Sequence, residues 1–257
     1  MDDLEYTGLM AEAWDALRGD TSDWEDRHLF LDLIRERGEP VLDVGCGTGR
    51  LLLDYLGLGI DIDGVEISPD MLTILRAKAA AAGLDVTGRI HEGAMETLAL
   101  PRTYRTILVP SSSFQLLFSD DQAAATMAAF FEHLRPGGTL AMPFIRFPGP
   151  ADETWTREAT LSDGSVVRRT SRAWYDPADG FERTDERWDV LRDGVVVRSE
   201  RKVRAPATRA WSDEAIATLF ASAGFVDVEW WANFTREAAT PADEIVTIVG
   251  RRPAAND

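Results

Sequence analysis

The ten residues Val41-Leu42-Asp43-Val44-Gly45-Cys46-Gly47-Thr48-Gly49-Arg50 constrain what this chain can fold into more than any other stretch. A short apolar run, read as a buried strand, gives way to glycine at every second position and then to a helical segment from Thr48 to Leu56. Glycines let the backbone take positive φ and let a ligand approach the main chain closely. The start of the helix adds unpaired N–H groups at the same place.

The alternation of strand and helix then repeats along the chain. Asp61 to Ile67 reads as a second strand, and Ser68-Pro69-Asp70 supplies a cap with proline in the first turn of a helix over 71–82. Val86 to His91 reads as a third strand, Thr106 to Val109 as a fourth, Asp120 to Leu134 as a helix, and Thr139 to Phe144 as a fifth strand introduced by the turn Arg135-Pro136-Gly137-Gly138. Short connections between alternating elements imply an α/β fold with a doubly wound, mostly parallel sheet. Strands near Val226 to Trp231 and Ile245 to Val249, with a helix from Ser212 to Ala223 before them, bring the sheet to seven strands. Residues 253–257 read as a loose tail.

Two segments fall outside that rhythm. Residues 4–18 and 23–37 carry helix-period apolar positions, with Leu29, Leu31, Leu33 and Ile34 as a buried stripe and Gly38 and Pro40 as the stop. Residues 154–205 read as four strands joined by Asp-Gly turns at 163–164, 179–180 and 193–194, the signal of an inserted antiparallel β meander. The expected organisation is an N-terminal helical lid over 1–38, a sheet domain built from 39–152 and 206–252, and a β insertion over 153–205 that covers substrate or makes a dimer contact. A monomer or a homodimer fits this reading.

Charge narrows the partners. Lys+Arg 27 against Asp+Glu 44 gives a net charge of −17, and the first forty residues hold twelve acids and four bases. So acidic a surface repels phosphate backbones and anionic lipid, which argues against nucleic acid or membrane as partner. No apolar stretch approaches a membrane span, and the N-terminus does not read as a signal peptide. The single cysteine, Cys46, fits a cytoplasmic protein, and three separated histidines give no metal-ligand cluster.

The glycine run is not a dinucleotide fingerprint, because G-x-G-x-x-G would need glycine where Arg50 stands. The spacing Asp43-x-Gly45-x-Gly47-x-Gly49 instead resembles the first motif of class I, Rossmann-like S-adenosylmethionine (SAM)-dependent methyltransferases of the small-molecule type. Glu66 ends the second strand 21 residues beyond Gly45, where a carboxylate can accept hydrogen bonds from ribose hydroxyls. Ile67 would then cover the adenine, and Ser68-Pro69-Asp70-Met71-Leu72 resembles the family's usual continuation. In Gly93-Ala94-Met95-Glu96 many relatives carry Asp at the second position, and this chain departs with Ala94. The resemblance covers roughly residues 35–145. It implies a cofactor site of Asp43, Gly45, Cys46, Gly47, Gly49, Glu66, Ile67, Met71, Ala94, Met95, Val109, Pro110 and Ser111, with SAM as methyl donor, S-adenosylhomocysteine (SAH) as product and no metal.

The acceptor side is less legible. Tyr6 and Trp14 are expected in a lid, and Ser113, Gln115, Phe144 and Arg146 around the acceptor pocket. His91 is a candidate base, with strand-end packing as its alternative. Cys46 reads as a small inert side chain. The implied reaction is methyl transfer to N or O of a small organic acceptor by in-line displacement. A non-catalytic SAM- or SAH-binding protein and a methyltransferase with a protein acceptor stand as alternatives.

Overall fold

A computed structural model describes residues 6–255. The chain opens with helices α1 (Leu9–Glu12), α2 (Trp14–Arg18) and α3 (Glu25–Arg37). Then come β1 (Val41–Val44), α4 (Arg50–Gly57), β2 (Ile62–Glu66), α5 (Pro69–Ala81), β3 (Ile90–Glu92), β4 (Tyr104–Leu108), α6 (Asp120–His133) and β5 (Leu134–Ile145). A second sheet comes next, of β6 (Ala151–Thr160), β7 (Val166–Asp176), β8 (Phe181–Arg192) and β9 (Val195–Arg209). The chain closes with α7 (Asp213–Ser222), β10 (Val226–Ala232) and β11 (Ile245–Arg251).

The seven-stranded sheet has the order β10-β11-β5-β4-β1-β2-β3. Strands β1 to β5 pair in parallel, and β11 runs antiparallel to both β5 and β10. Successive residues of a strand face opposite sides of a sheet. Accordingly Val41, Leu108 and Ala141 join Phe30, Leu33 and Tyr55 beneath α3 and α4. Their neighbours Leu42, Ile107 and Leu140 join Met127, Phe130 and Phe220 of α6 and α7 on the other side. With both faces covered, β1 and β2 are buried end to end, which is why β1 reads as a largely apolar run rather than an alternation. The helix starts carry the expected chemistry: Ser68, Ser119 and Ser212 each accept from the N–H three residues on.

Several boundaries differ from the sequence reading, each for a local reason. The helix expected over 4–18 is broken at Ala13 into α1 and α2, and residues 4 and 5 lie outside the described residues. The third strand begins at Ile90 rather than Val86. Gly88 sits at φ 71°, and the Arg89 N–H donates to the Val86 carbonyl, so the stretch before Ile90 is a turn. The turn at 135–138 is looped out of a longer strand: Tyr104 pairs with Leu134, and the register resumes at Thr106 with Thr139. The loop is clasped by Arg252 and by Pro253, the first residue read as a loose tail, since the Gly137 N–H donates to both carbonyls. Residues 256 and 257 of that tail lie outside the described residues.

The meander is wider than expected, running from Ala151 to Arg209 in the order β6-β7-β8-β9. At its last turn Asp193 and Gly194 both have positive φ, as a two-residue hairpin connection requires. One face bears exposed cross-strand ion pairs such as Arg168–Glu158, Arg172–Asp152 and Arg201–Asp185. The other buries Val167, Trp188 and Val190 against Leu9, Met10 and Ala13 of the N-terminal segment. That segment is tied on both sides. The Leu9 N–H donates to Glu200 Oε2 of β9 at 2.9 Å, and the Gly8 N–H donates to Asp70 Oδ2 of α5 at 2.8 Å. Among the described residues no helix is long and apolar enough to cross a membrane.

Candidate active site

The strand order reverses between β1 and β4, and open α/β sheets bind ligands in the crevice outside the carboxyl ends of the strands at such a point. Here the crevice is an open cavity of about 350 Å³, floored by the loops after β1, β2, β3 and β4 and walled by Tyr6, Trp14 and Arg18.

The glycines of the first loop do different jobs. Gly45, at φ 70°, lets the loop pass against the turn after β4, where a Cβ would lie 2.8 Å from Ser113 Oγ. Gly47, at φ 55°, would project a Cβ into open space, its closest neighbour being a backbone oxygen 4.0 Å away. It is the glycine that leaves room for a ligand. Gly49 caps α4 in the left-handed region and is packed tightly between helices, so it shapes the turn without lining the cavity.

Glu66 anchors this loop. Its Oε2 accepts from the Gly47 N–H at 2.9 Å and its Oε1 from the Ser68 N–H at 2.8 Å. A carboxylate offers about four lone-pair positions, so each oxygen keeps capacity for a ligand hydroxyl. Burial raises the Glu66 pKa above the ordinary carboxylate value, and the backbone donors act against that rise. Ile67 is exposed at the rim of the cavity, while Met71, Ala94 and Met95 line the same end.

Asp43 is more strained electrostatically. It is 1% exposed, and its Oδ1 has no hydrogen-bond partner among the described residues. Burial pushes its pKa up to about 7; the charge of Arg50 acts against this, and those of Glu66 and Asp26 add to it. A buried carboxylate without a partner is costly, and a cationic or hydrogen-bond-donating ligand group would relieve it.

The Cys46 thiol is pushed well up by burial and by Asp43 and Glu66, and it packs with Leu52, Leu72 and Leu75. This is the environment of an unreactive thiol.

On the β4 side, Pro110, Ser111 and Ser113 line the cavity. Ser111 and Ser112 both have positive φ, unusual for residues other than glycine, and turn the chain sharply off the strand. The short 3-10 helix Ser113–Leu116 comes next and brings Leu116, Leu117 and Phe118 to the cavity wall.

Six residues expected at the site take other roles or positions. Gly49 belongs to the packing between helices. Val109 is fully buried in the core between the sheet and α6. Phe144 points into that core, with its ring 5.7 Å from Phe114. Gln115 is fully buried: its Nε2 donates to the Ile145 and Arg209 carbonyls at 3.0 Å each, and its Oε1 accepts from the Ile145 N–H at 2.7 Å. Arg146 pairs with Asp213 and donates to the Thr240 and Asp243 carbonyls. His91 sits on edge strand β3, opposite Val65, and does not line the cavity.

Gln115 is thus a clamp between the main sheet and the start of the return from the meander. Gln115→Leu is expected to destabilise the fold by about 1–3 kcal/mol, because three backbone groups, of Ile145 and Arg209, lose a partner. Ligand affinity at the cavity should change far less. Denaturant melts and ligand titration on the same sample check both, and an affinity loss without a stability loss would return Gln115 to the site.

The sequence reading passed over Arg18, Arg50, Glu96 and Phe118, all of which line the cavity. Arg50 is held by Asp26 of α3, with one contact at 3.0 Å. Arg18 stands four residues after Trp14, so helical spacing placed it on the same side as an expected lid residue.

Strand order, glycine loop and strand-end carboxylate together define an open α/β protein built to hold an adenosine-bearing cofactor. A family model described as a methyltransferase domain matches residues 41–138. A protein of Geobacillus sp. (strain WCH70) that carries a methyltransferase name is 30% identical over 222 residues, 85% of this chain and 86% of that one. The chain belongs to the class I SAM-dependent methyltransferases. The dTDP-3-amino-3,4,6-trideoxy-alpha-D-glucopyranose N,N-dimethyltransferase of Streptomyces venezuelae is 33% identical over 148 residues, 56% of this chain and 60% of that one. A SAM-bound amino pentose methyltransferase from Micromonospora echinaspora, involved in calicheamicin biosynthesis, superposes with a TM-score of 0.70 at 25% identity, over 96% of this chain and 98% of that one. The chain spans less than two thirds of the length of the first curated relatives it matches.

Proposed function

We propose that this chain transfers a methyl group from SAM to the amine nitrogen of a small organic acceptor of the amine-bearing sugar type. The observation that carries the reading is the meeting, in one cavity, of the open Gly47 turn, the Glu66 carboxylate with lone pairs to spare, and the unpartnered Asp43 oxygen. Those three features suit an adenosine ribose and an α-ammonium. The amine acceptor is supported by the substrates named for the two sugar-modifying relatives from Streptomyces venezuelae and Micromonospora echinaspora.

In this reading Glu66 holds the ribose hydroxyls, and Ile67, Met71 and Met95 enclose the adenine. Bound SAM supplies a sulfonium-activated methyl group that an acceptor lone pair displaces in line, its electron pair remaining on sulfur. The residues around it contribute placement, which is a large part of what such a displacement requires. Tyr6, Trp14, Leu116 and Phe118 wall the space for the acceptor and limit water. The acceptor nitrogen attacks as the neutral amine, having given one proton to solvent. We assign the N-terminal helices and the meander to the acceptor's cover, and no metal takes part.

Calorimetric titration with SAM and SAH, followed by SAH release with a panel of amino sugars, tests the proposal. Binding of both ligands and turnover with an amine are expected. A folded chain that binds neither would overturn it.

Asp43 yields a pH signature. Its folded pKa lies above its unfolded value of 3.8, so between about pH 4 and 7 Asp43 holds more proton in the folded chain than in the unfolded one. The contribution of Asp43 to the stability of the ligand-free protein therefore falls as pH rises through that window, and Asp43→Asn should remove that fall relative to wild type. An ammonium beside Asp43 favours the anion, so SAM binding at pH 6 should release up to about one proton. At pH 8, or in Asp43→Asn, the release should vanish. Calorimetry in buffers of different ionisation enthalpy reads this directly.

A further inference from the structure

We infer that the acceptor is an amino sugar joined to an apolar aglycone, and not one joined to a nucleoside diphosphate. The inference rests on the reading of the chain as an amine methyltransferase and narrows its substrate class.

A nucleoside diphosphate is anionic wherever it lies, and proteins hold such groups with Arg or Lys, with helix N-termini or with glycine-rich turns. The cavity, at about 350 Å³, is small for a ligand site, and the cofactor takes part of it. A nucleotide on the acceptor would therefore extend past the wall of Tyr6, Trp14, Leu116 and Phe118, and its phosphates would meet the side chains around that wall.

The cations there are already engaged. Arg209, whose carbonyl meets Gln115, turns its guanidinium to Asp120 at 2.6 Å and over the ring of Trp211. Arg146 is held by Asp213 and two backbone carbonyls. Arg183 follows Phe181, whose ring lies 6.2 Å from that of Phe118, and it pairs with Asp179. Arg204, with its guanidinium carbon 5.9 Å from the centre of the Tyr6 ring, stands 3.8 Å from the buried Glu186. Lys202 donates to Thr7 Oγ1 at 2.7 Å. A phosphate arriving at any of the four arginines would meet an acid as well. Residues 1–5 and 256–257, outside the described range, contain neither lysine nor arginine.

The helix ends are closed to phosphate too. Helix α6 begins just beyond Phe118 with Asp120 and Asp121 in its first turn and the Ser119 hydroxyl on the Gln122 N–H. Helix α7 begins in the same way, with Ser212, Asp213 and Glu214. Acids in a first turn take up the favourable end of the helix dipole. The glycine turn is committed to Glu66 and the cofactor. Within the cavity lining, Asp43, Glu66 and Glu96 outnumber Arg18 and Arg50, and both arginines stand on the glycine-loop side, Arg50 opening α4 and Arg18 on the helix that Asp15 ties to Thr48. The net charge of −17 attracts an amine and repels a diphosphate.

What the wall does offer is apolar. Tyr6 and Trp14 meet edge to face at 5.0 Å, and Leu116, Leu117 and Phe118 continue the surface. Such a surface takes the apolar face of a sugar and an aromatic or aliphatic group beyond it.

The test uses wild-type protein and, for each sugar in a panel of aminodeoxyhexoses, two acceptors: the phenyl glycoside and the dTDP ester. SAH release should give a kcat/KM at least about 10-fold higher for the glycoside. Calorimetric titration of dTDP alone into the SAH-bound chain should show binding weaker than about 1 mM. A kcat/KM for the dTDP ester equal to or above that of the glycoside, or dTDP binding tighter than about 1 mM, would overturn the inference and leave the amine reading standing. Methylation of neither acceptor by a chain that binds SAH is a different result: the amine reading falls, and the inference with it.

Discussion

Glu66→Ala is expected to weaken SAM and SAH by about 10- to 100-fold, the loss of one or two charge-assisted hydrogen bonds. The carboxylate is bound to the Gly47 and Ser68 N–H groups before any ligand arrives. Its removal therefore also frees the glycine turn, and the ligand-free variant should melt earlier than wild type. Glu66→Gln is a sharper probe. The amide must direct an NH₂ at one of two N–H donors, so one of the two backbone contacts becomes a donor facing a donor. Affinity should fall nearly as far as in Glu66→Ala, even though size and shape are kept. Calorimetric titration reads the affinities and thermal melts read the turn. Full SAM affinity in a folded Glu66→Ala sample would mean that the ribose lies elsewhere.

Gly49→Val should act on the fold before it acts on any ligand. The residue sits at φ 82°, and a Cβ there would lie 2.9 Å from Leu53 Cγ and 2.9 Å from Leu75 Cγ. Left-handed backbone in a residue other than glycine costs roughly 1–2 kcal/mol, and overpacking a filled space roughly another 1–3. A total of about 2–5 kcal/mol is a large share of the 5–15 kcal/mol typical of native domains. Denaturant unfolding should show the loss directly. Gly47→Ala is the contrast, because its side chain would meet open cavity rather than core. Stability should fall by only about 1–2 kcal/mol for the backbone alone, with a larger share of the damage appearing as lost SAM affinity. If the two variants behaved alike, the division of labour within the loop would be wrong.

The side of the cavity floored by the glycine loop and Glu66 was legible in the sequence because its parts are local. Asp43 to Gly49 is a single strand–turn–helix, and Glu66 comes one helix and one strand later, so spacing alone carries the geometry. The residues expected around an acceptor depend on contacts that no local pattern encodes. Gln115 looks like a crevice residue until the Arg209 carbonyl, 94 positions away, takes its amide. Arg146 leaves β5 near the crevice but is drawn aside by Asp213 and Thr240. Phe144 and Val109 lie at the right end of the sheet, but their side chains face the core. His91 lies within the sheet's edge strand and does not line the cavity. The meander was visible because each Asp-Gly pair marks its own hairpin. What that sheet covers was not, since Leu9 and Trp188 meet only in three dimensions.

The Leu9–Glu200 hydrogen bond closes a loop of 191 residues. Contacts so distant in sequence form late, because a long stretch of chain must be ordered before they can be made. During synthesis the segment around Tyr6 and Arg18 emerges long before β8 and β9, the strands on which it will rest, have been translated. The parallel sheet can nucleate from nearer neighbours while this segment waits for its support. The nascent segment can reach Asp70 and Thr48 first, and its docking is completed only when β8 and β9 arrive. The part of the site translated earliest is thus among the last to be completed.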